Sequence, residues 1–145
     1  MTDKYYISWA EFHQDVKTLA AKIKSSGDYN KIIAISRGGL LPAGILAYEL
    51  DIRNSQAINI SSYDTGEIRR ADEDVEIDCD ISDVDEHTLV VDDLSDSGRT
   101  FRLMRQLLPQ AKFVAVYVKE QGRAEADIYT RQVPDTWVVF PWDVE

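Results

Sequence analysis

Residues 89–100 read LVVDDLSDSGRT. With Thr88, the apolar start has the character of a buried strand, and that strand delivers Asp92 and Asp93 side by side to its end. A short polar loop follows and opens the run TFRLMRQLL, 100–108, whose apolar spacing predicts a helix. A helix N-terminus offers unpaired N–H groups and a partial positive charge, which suit a phosphate. Gly98 lets the backbone turn sharply and approach an anion closely, while Ser97 and Thr100 add hydroxyl donors. The same residues also read as a plain capped helix start, with Asp96 or Ser97 as N-cap. Two adjacent carboxylates repel each other unless sugar hydroxyls or a hydrated divalent cation compensate them. A solvated pair capping nearby amides is the plainer reading. Phosphate cradle and acid pair together outline a sugar-phosphate site.

Outward from this stretch, strands and helices alternate. Ser8 and Glu11 have the spacing of a capping box, and Trp9, Phe12, Val16, Leu19 and Ile23 recur at helical intervals, predicting a helix that stops before SSGD at 25–28. KIIAI, 31–35, reads as a buried strand ending in Ser36-Arg37-Gly38-Gly39. LLPAGILAYEL, 40–50, is a helix with Pro42 tolerable in its first turn. AINIS, 57–61, and KFVAVYV, 112–118, are further strands. Residues 61–87 read as a long loop or a marginal strand pair, and 121–145 show no clear period. Such alternation means an α/β fold, a parallel sheet covered by helices on both faces. Ligands then bind beyond the carboxyl ends of the strands, which places Arg37, Gly38, Asp92, Asp93 and Lys119 where chemistry belongs.

A chain of 145 residues, 44% hydrophobic and 29% charged, fits one domain over 1–145. The start MTDKYYISWA lacks a basic segment followed by an apolar one, and no apolar run nears the ~20 residues of a membrane span. The lone Cys79 has no disulfide or metal-ligand partner in sequence, so the expected location is cytoplasmic. Nine acids and no Lys or Arg lie in 71–87, and the rest of the chain carries only −1 of the formal −10. No basic stripe is present, which argues against nucleic acid as a partner.

The stretch VVDDLSDSGRT resembles the ribose-5-phosphate signature of the type I phosphoribosyltransferases: an apolar strand, two acids, then a loop of the form D-T/S-G-x-T. YISW (6–9), IIAISRGGLLPAGILAYELDIR (32–53), ISSYD (60–64), Gly122-Arg123, PDTWV (134–138) and PWD (141–143) resemble, in order and spacing, the small bacterial 6-oxopurine branch, which acts on xanthine and guanine. The likeness spans nearly the whole chain apart from 67–87, and it implies the family fold with a small hood and flexible loop. It implies transfer of 5-phosphoribosyl from phosphoribosyl pyrophosphate to guanine, xanthine or hypoxanthine, with Mg2+ as cofactor and a homodimer or homotetramer as the assembly. Carried over residue by residue, Asp92, Asp93, Leu94, Ser95, Asp96, Ser97, Gly98, Arg99 and Thr100 hold the ribose phosphate, and Asp93 also reaches the metal. Arg37 and Gly38 match the pyrophosphate loop, where the resemblance implies a non-proline cis peptide, and Arg69 matches a further pyrophosphate contact. Asp96 aligns with the catalytic acid at the purine imidazole edge, and Lys119 with the lysine that reads the 6-oxo group. Trp137 aligns with the stacking aromatic, and Val138 with the residue whose carbonyl meets the 2-position.

The chain departs from the family pattern at Ser97 and Arg99, in the short SSYDTGEIRR, in the early end at Glu145, and in the acid run where a hood over pyrophosphate is expected. That run reads as a solvated, self-repelling loop of which only the Arg69-Arg70 end engages substrate. A sensor that binds phosphoribosyl pyrophosphate without turnover is the second reading. A generic nucleotide-binding or phosphoacceptor domain with magnesium on Asp92-Asp93 is the third.

Overall fold

The computed structural model describes residues 3–60 and 80–144. Chain order is β1 (Lys4–Tyr6), α1 (Trp9–Ser26), β2 (Lys31–Ser36), α2 (Leu40–Glu49), β3 (Asn54–Asn59), β4 (Thr88–Ser95), α3 (Arg99–Leu107), β5 (Lys112–Val118), a 3-10 turn (Glu120–Glu125), β6 (Ile128–Gln132) and β7 (Trp137–Val139). Five strands form an all-parallel sheet in the order β3-β2-β4-β5-β6, and β1 pairs in parallel with β7 apart from it. The α/β expectation holds.

Strand alternation sends successive side chains to opposite faces, so one sheet builds two cores. Ile32, Ala34, Leu89, Val91 and Val114 pack with Phe12, Val16, Leu19 and Ile23 of α1 and Leu46 of α2. Ile33, Ile35, Val90, Phe113 and Ala115 pack on the other face with Phe101 and Met104 of α3. The capping box of α1 is formed, with Ser8 Oγ accepting from the Glu11 N–H and Glu11 Oε1 accepting from the Ser8 N–H, both at 3.1 Å. α1 runs on to Ser26, two residues into SSGD, because the Ser25 and Ser26 hydroxyls donate back to the Lys22 and Ile23 carbonyls.

The sheet order makes β2 and β4 the switch point: from β2 the chain moves to β3 on one side and then returns to β4 on the other. β2 and β4 pair only as far as Ala34 with Val91, while β4 stays paired to β5 as far as Ser95 with Val118. The sheet therefore splits where the two aspartates begin. This also explains why β4 outlasts the predicted TLVV by four residues: β5 carries it. β3 likewise begins at Asn54, three residues before AINIS, along the edge of β2. β1, β6 and β7 are short, and their pairing comes from tertiary contact rather than from any local pattern in the sequence.

Residues 61–79, including Arg69, Arg70, Cys79 and most of the expected hood, lie outside the described residues. The end of the acid run differs from a wholly solvated loop. Lys31, 2% exposed at the base of β2, donates its ammonium to the Asp80 carbonyl and pairs with Asp83. Ile81 and Val84 pack on the second core. A buried cation needs such partners, and these acids supply them.

The 3-10 turn braces the end of β4. A Cβ on Gly122 would stand 2.2 Å from the Ser95 carbonyl oxygen, so only glycine fits there. Gly44, midway along α2, has nothing within 4 Å of the same position. Gly122→Ala is expected to destabilise the protein by about 1–3 kcal/mol. Gly44→Ala should be neutral or stabilising by about 0.5–1 kcal/mol. Thermal melting of the two variants checks this, and equal effects would refute the brace.

Candidate active site

The split between β2 and β4 opens a cavity of about 560 Å³ lined by Arg37, Gly38, every residue from Asp92 to Phe101, Ile35, Ser36, Ile60 and Phe140. A second cavity of about 840 Å³ shares Arg37, Gly38, Asp93 and Phe140 with the first and adds Leu40, Leu41, Trp137, Val139, Trp142, Asp143 and Val144. The two form one cleft with a polar half and an aromatic half.

On the polar half, Asp92 and Asp93 sit part-buried in β4, and the Asp93 N–H donates to Asp92 Oδ1 at 2.9 Å. Loss of solvent pushes the Asp92 carboxyl well above the usual carboxylate range, and the neighbouring Asp93 charge pushes it further. Burial also raises Asp93, with Asp143 adding repulsion across the cleft. Gly38 packs directly on this pair: a Cβ there would stand 2.7 Å from both Asp93 carboxyl oxygens. The Ser36–Arg37 peptide is cis, as the resemblance implied for this loop.

The helix start differs from the capped reading. Gly98, with φ +85°, occupies the N-cap and has no side chain to cap the first turn. Ser97 Oγ only accepts a 3.3 Å bond from the Arg99 N–H. Neither Asp96 nor Ser97 is the N-cap, and the first turn of α3, Arg99 to Phe101, lines the cavity. Such an end can accept an anion.

Lys119, at the end of β5, stands behind Asp96 and is 7% exposed. Its Nζ donates to Asp96 Oδ2 at 3.3 Å and lies 3.9 Å from Asp135 Oδ1. Trp137 is 65% exposed and walls the aromatic half. The Val138 side chain is buried in the first core. The structure thus gathers Arg37, Gly38, Asp92, Asp93, Leu94, Ser95, Asp96, Ser97, Gly98, Arg99 and Thr100 on one cavity and sets Trp137 on the next. Lys119 joins them through Asp96, and Val138 follows Trp137 in β7.

Sequence reasoning missed Gln121, Asp135 and Asp143. Asp135 and Asp143 belong to the tail that shows no periodicity, and Gln121 to an irregular turn. Their only signal was adjacency: Asp135 lies within PDTWV and Asp143 ends PWD.

Comparison with known proteins agrees with this geometry. The family model described as a phosphoribosyl transferase domain matches residues 6–145. A xanthine-guanine phosphoribosyltransferase of Nitratidesulfovibrio vulgaris is 41% identical over 140 residues, covering 96% of this chain and 84% of that protein. One from Idiomarina loihiensis is 42% identical over 142 residues, covering 97% and 88%. Among solved structures, a purine phosphoribosyltransferase from Pyrococcus horikoshii superposes with a TM-score of 0.80 at 28% identity, covering 99% of this chain and 95% of that one. With a split parallel sheet, an acid pair at the switch point and a helix start beside it, the chain belongs to the phosphoribosyltransferase family.

Proposed function

We propose that the protein is a purine-salvage enzyme that transfers the 5-phosphoribosyl group of phosphoribosyl pyrophosphate to guanine, xanthine or hypoxanthine. The observation that carries this is the start of α3 at Gly98 beside the partly buried carboxyl pair of Asp92 and Asp93 on one cavity. The relatives named for xanthine and guanine support the base.

The residues divide the work by chemistry. The amides and hydroxyls of Ser97 to Thr100 bind the 5-phosphate, with Asp96 closing the loop. Asp92 and Asp93 accept hydrogen bonds from the ribose 2- and 3-hydroxyls, which relieves their burial. Arg37 and the Gly38 backbone hold the pyrophosphate, with Arg69 as the further contact expected from the sequence. The Asp92-Asp93 oxygens, hard donors in a field that Asp143 makes more negative, fit Mg2+, with Asp93 as its protein ligand. Bound there with the diphosphate, the ion would neutralise charge on the leaving group.

In the reaction the bond from C1 to pyrophosphate breaks and a bond from C1 to a purine nitrogen forms. C1 carries positive character between the two, and the acids beneath the ribose stabilise it. The purine gives up a ring proton as it couples, and Asp96 accepts a proton or hydrogen bond at the imidazole edge. Lys119 donates to the 6-oxo group; adenine would present an amino donor to the ammonium and be rejected. Trp137 stacks on the ring, and the Val138 carbonyl meets the 2-substituent. We also propose that the enzyme works in the cytoplasm as a homodimer or homotetramer. Leu40, Leu41 and Tyr48 of α2, all exposed, support the assembly. Among the described residues no helix is long and apolar enough to cross a membrane.

The test offers each of the four bases separately with magnesium and phosphoribosyl pyrophosphate. Monophosphate is expected from at least one 6-oxopurine and none from adenine. Tight binding of phosphoribosyl pyrophosphate with no product from any base would favour the sensor reading. Asp96→Asn should lower kcat by about 100-fold while the KM for phosphoribosyl pyrophosphate stays within about twofold. Equal losses in both would reduce Asp96 to ligand holding.

A further inference from the structure

Lys119 meets two carboxylates rather than one. Asp96 is the nearer at 3.3 Å, and Asp135 lies at 3.9 Å. Gln121 ties them together, its Nε2 donating to Asp96 Oδ1 at 3.4 Å and to Asp135 Oδ1 at 3.2 Å. Neither Gln121 nor Asp135 lines the two cavities. Both stand one contact away.

This arrangement poses a problem for the base, and it rests on the reading given under Proposed function. Asp96 and Lys119 are paired with each other at 3.3 Å. A purine that uses Asp96 at one edge and Lys119 at another must draw them apart. An ammonium has three donors and no acceptor, and burial penalises leaving it without a counter-charge. We propose that Asp135, braced by Gln121, is the positioning residue that takes over the Lys119 cation as Asp96 turns to the base. Asp135 thereby sets the affinity for the base and not that for the sugar phosphate. Gln121 keeps the vacated Asp96 aimed, since its amide holds Oδ1, the oxygen that Lys119 does not use.

The magnitude is modest because Asp135 is 73% exposed and solvent screens its charge. Asp135→Asn keeps the shape and the amide contact but removes the counter-charge. It should raise the KM for the accepted 6-oxopurine about fivefold. The KM for phosphoribosyl pyrophosphate should stay within about twofold, as should kcat. Asp135→Glu should restore most of the loss, and Gln121→Ala should raise the base KM in the same direction. Steady-state kinetics of the three variants, with melting temperatures alongside, tests this. A base KM unchanged in Asp135→Asn overturns the inference. So does a rise in both KM values together with a lower melting temperature, because that pattern marks a purely structural ion pair. An unsubstituted protein that turns over no base overturns the proposed function and this inference together; turnover without the base-specific change overturns this inference alone.

Discussion

The structure depends on one parting of strands. β2 and β4 separate after Ala34 and Val91, while β4 keeps its partner on the other side through Ser95. That gap exposes Asp92 and Asp93 at the end of a strand whose preceding residues Leu89, Val90 and Val91 are fully buried. Pushed together and partly buried, both carboxyls sit above their ordinary range. Hydroxyl donors or a cation would compensate them. Binding supplies what folding withheld.

Backbone fit keeps the gap in shape. Three glycines press on β4 or its acids: Gly38 on the Asp93 carboxyl, Gly39 on the Val91 carbonyl at 2.2 Å from a would-be Cβ, and Gly122 on the Ser95 carbonyl. These contacts let α2 and the 3-10 turn close on the strand from both sides. The Ser95 hydroxyl donates to the Gly122 carbonyl at 2.8 Å, and the Lys119 N–H donates to the Ser95 carbonyl at 3.0 Å, so the same brace places the lysine behind Asp96. Far from the cleft, Tyr117 donates to Asp15 at 2.7 Å and Arg131 pairs with the same carboxylate at 3.1 Å, fastening α1 to β5 and β6.

Most of the parallel sheet and its acid pair could be read from residues 31–118, because buried strands write continuous apolar runs and helices write a 3.6-residue period. Asp92, Asp93, Gly98, Arg37 and Lys119 were legible because each follows such a strand. Of the two readings of the helix start, the capped one does not hold: Asp96 and Ser97 are good capping types, yet the left-handed turn at Gly98 carries the helix start past both. β1 and β7 were invisible, being three residues each and stabilised by each other rather than by pattern. Asp135, Gln121 and Asp143 were illegible for the same reason, since their roles arise where distant segments meet. Charge in the acid run hid the buried Lys31, which the Asp83 carboxylate neutralises and which donates to the Asp80 carbonyl.

The most direct measurement is the melting temperature at neutral pH of the unsubstituted protein and Asp92→Asn, with and without magnesium and phosphoribosyl pyrophosphate. A carboxyl raised by folding binds more protons folded than unfolded, so its ionised form destabilises the empty protein as pH rises above the ordinary carboxylate value. The account predicts that empty Asp92→Asn melts higher by roughly 2–6 °C and gains less from ligand than the unsubstituted protein does. A variant that melts no higher when empty and gains as much from ligand would contradict it.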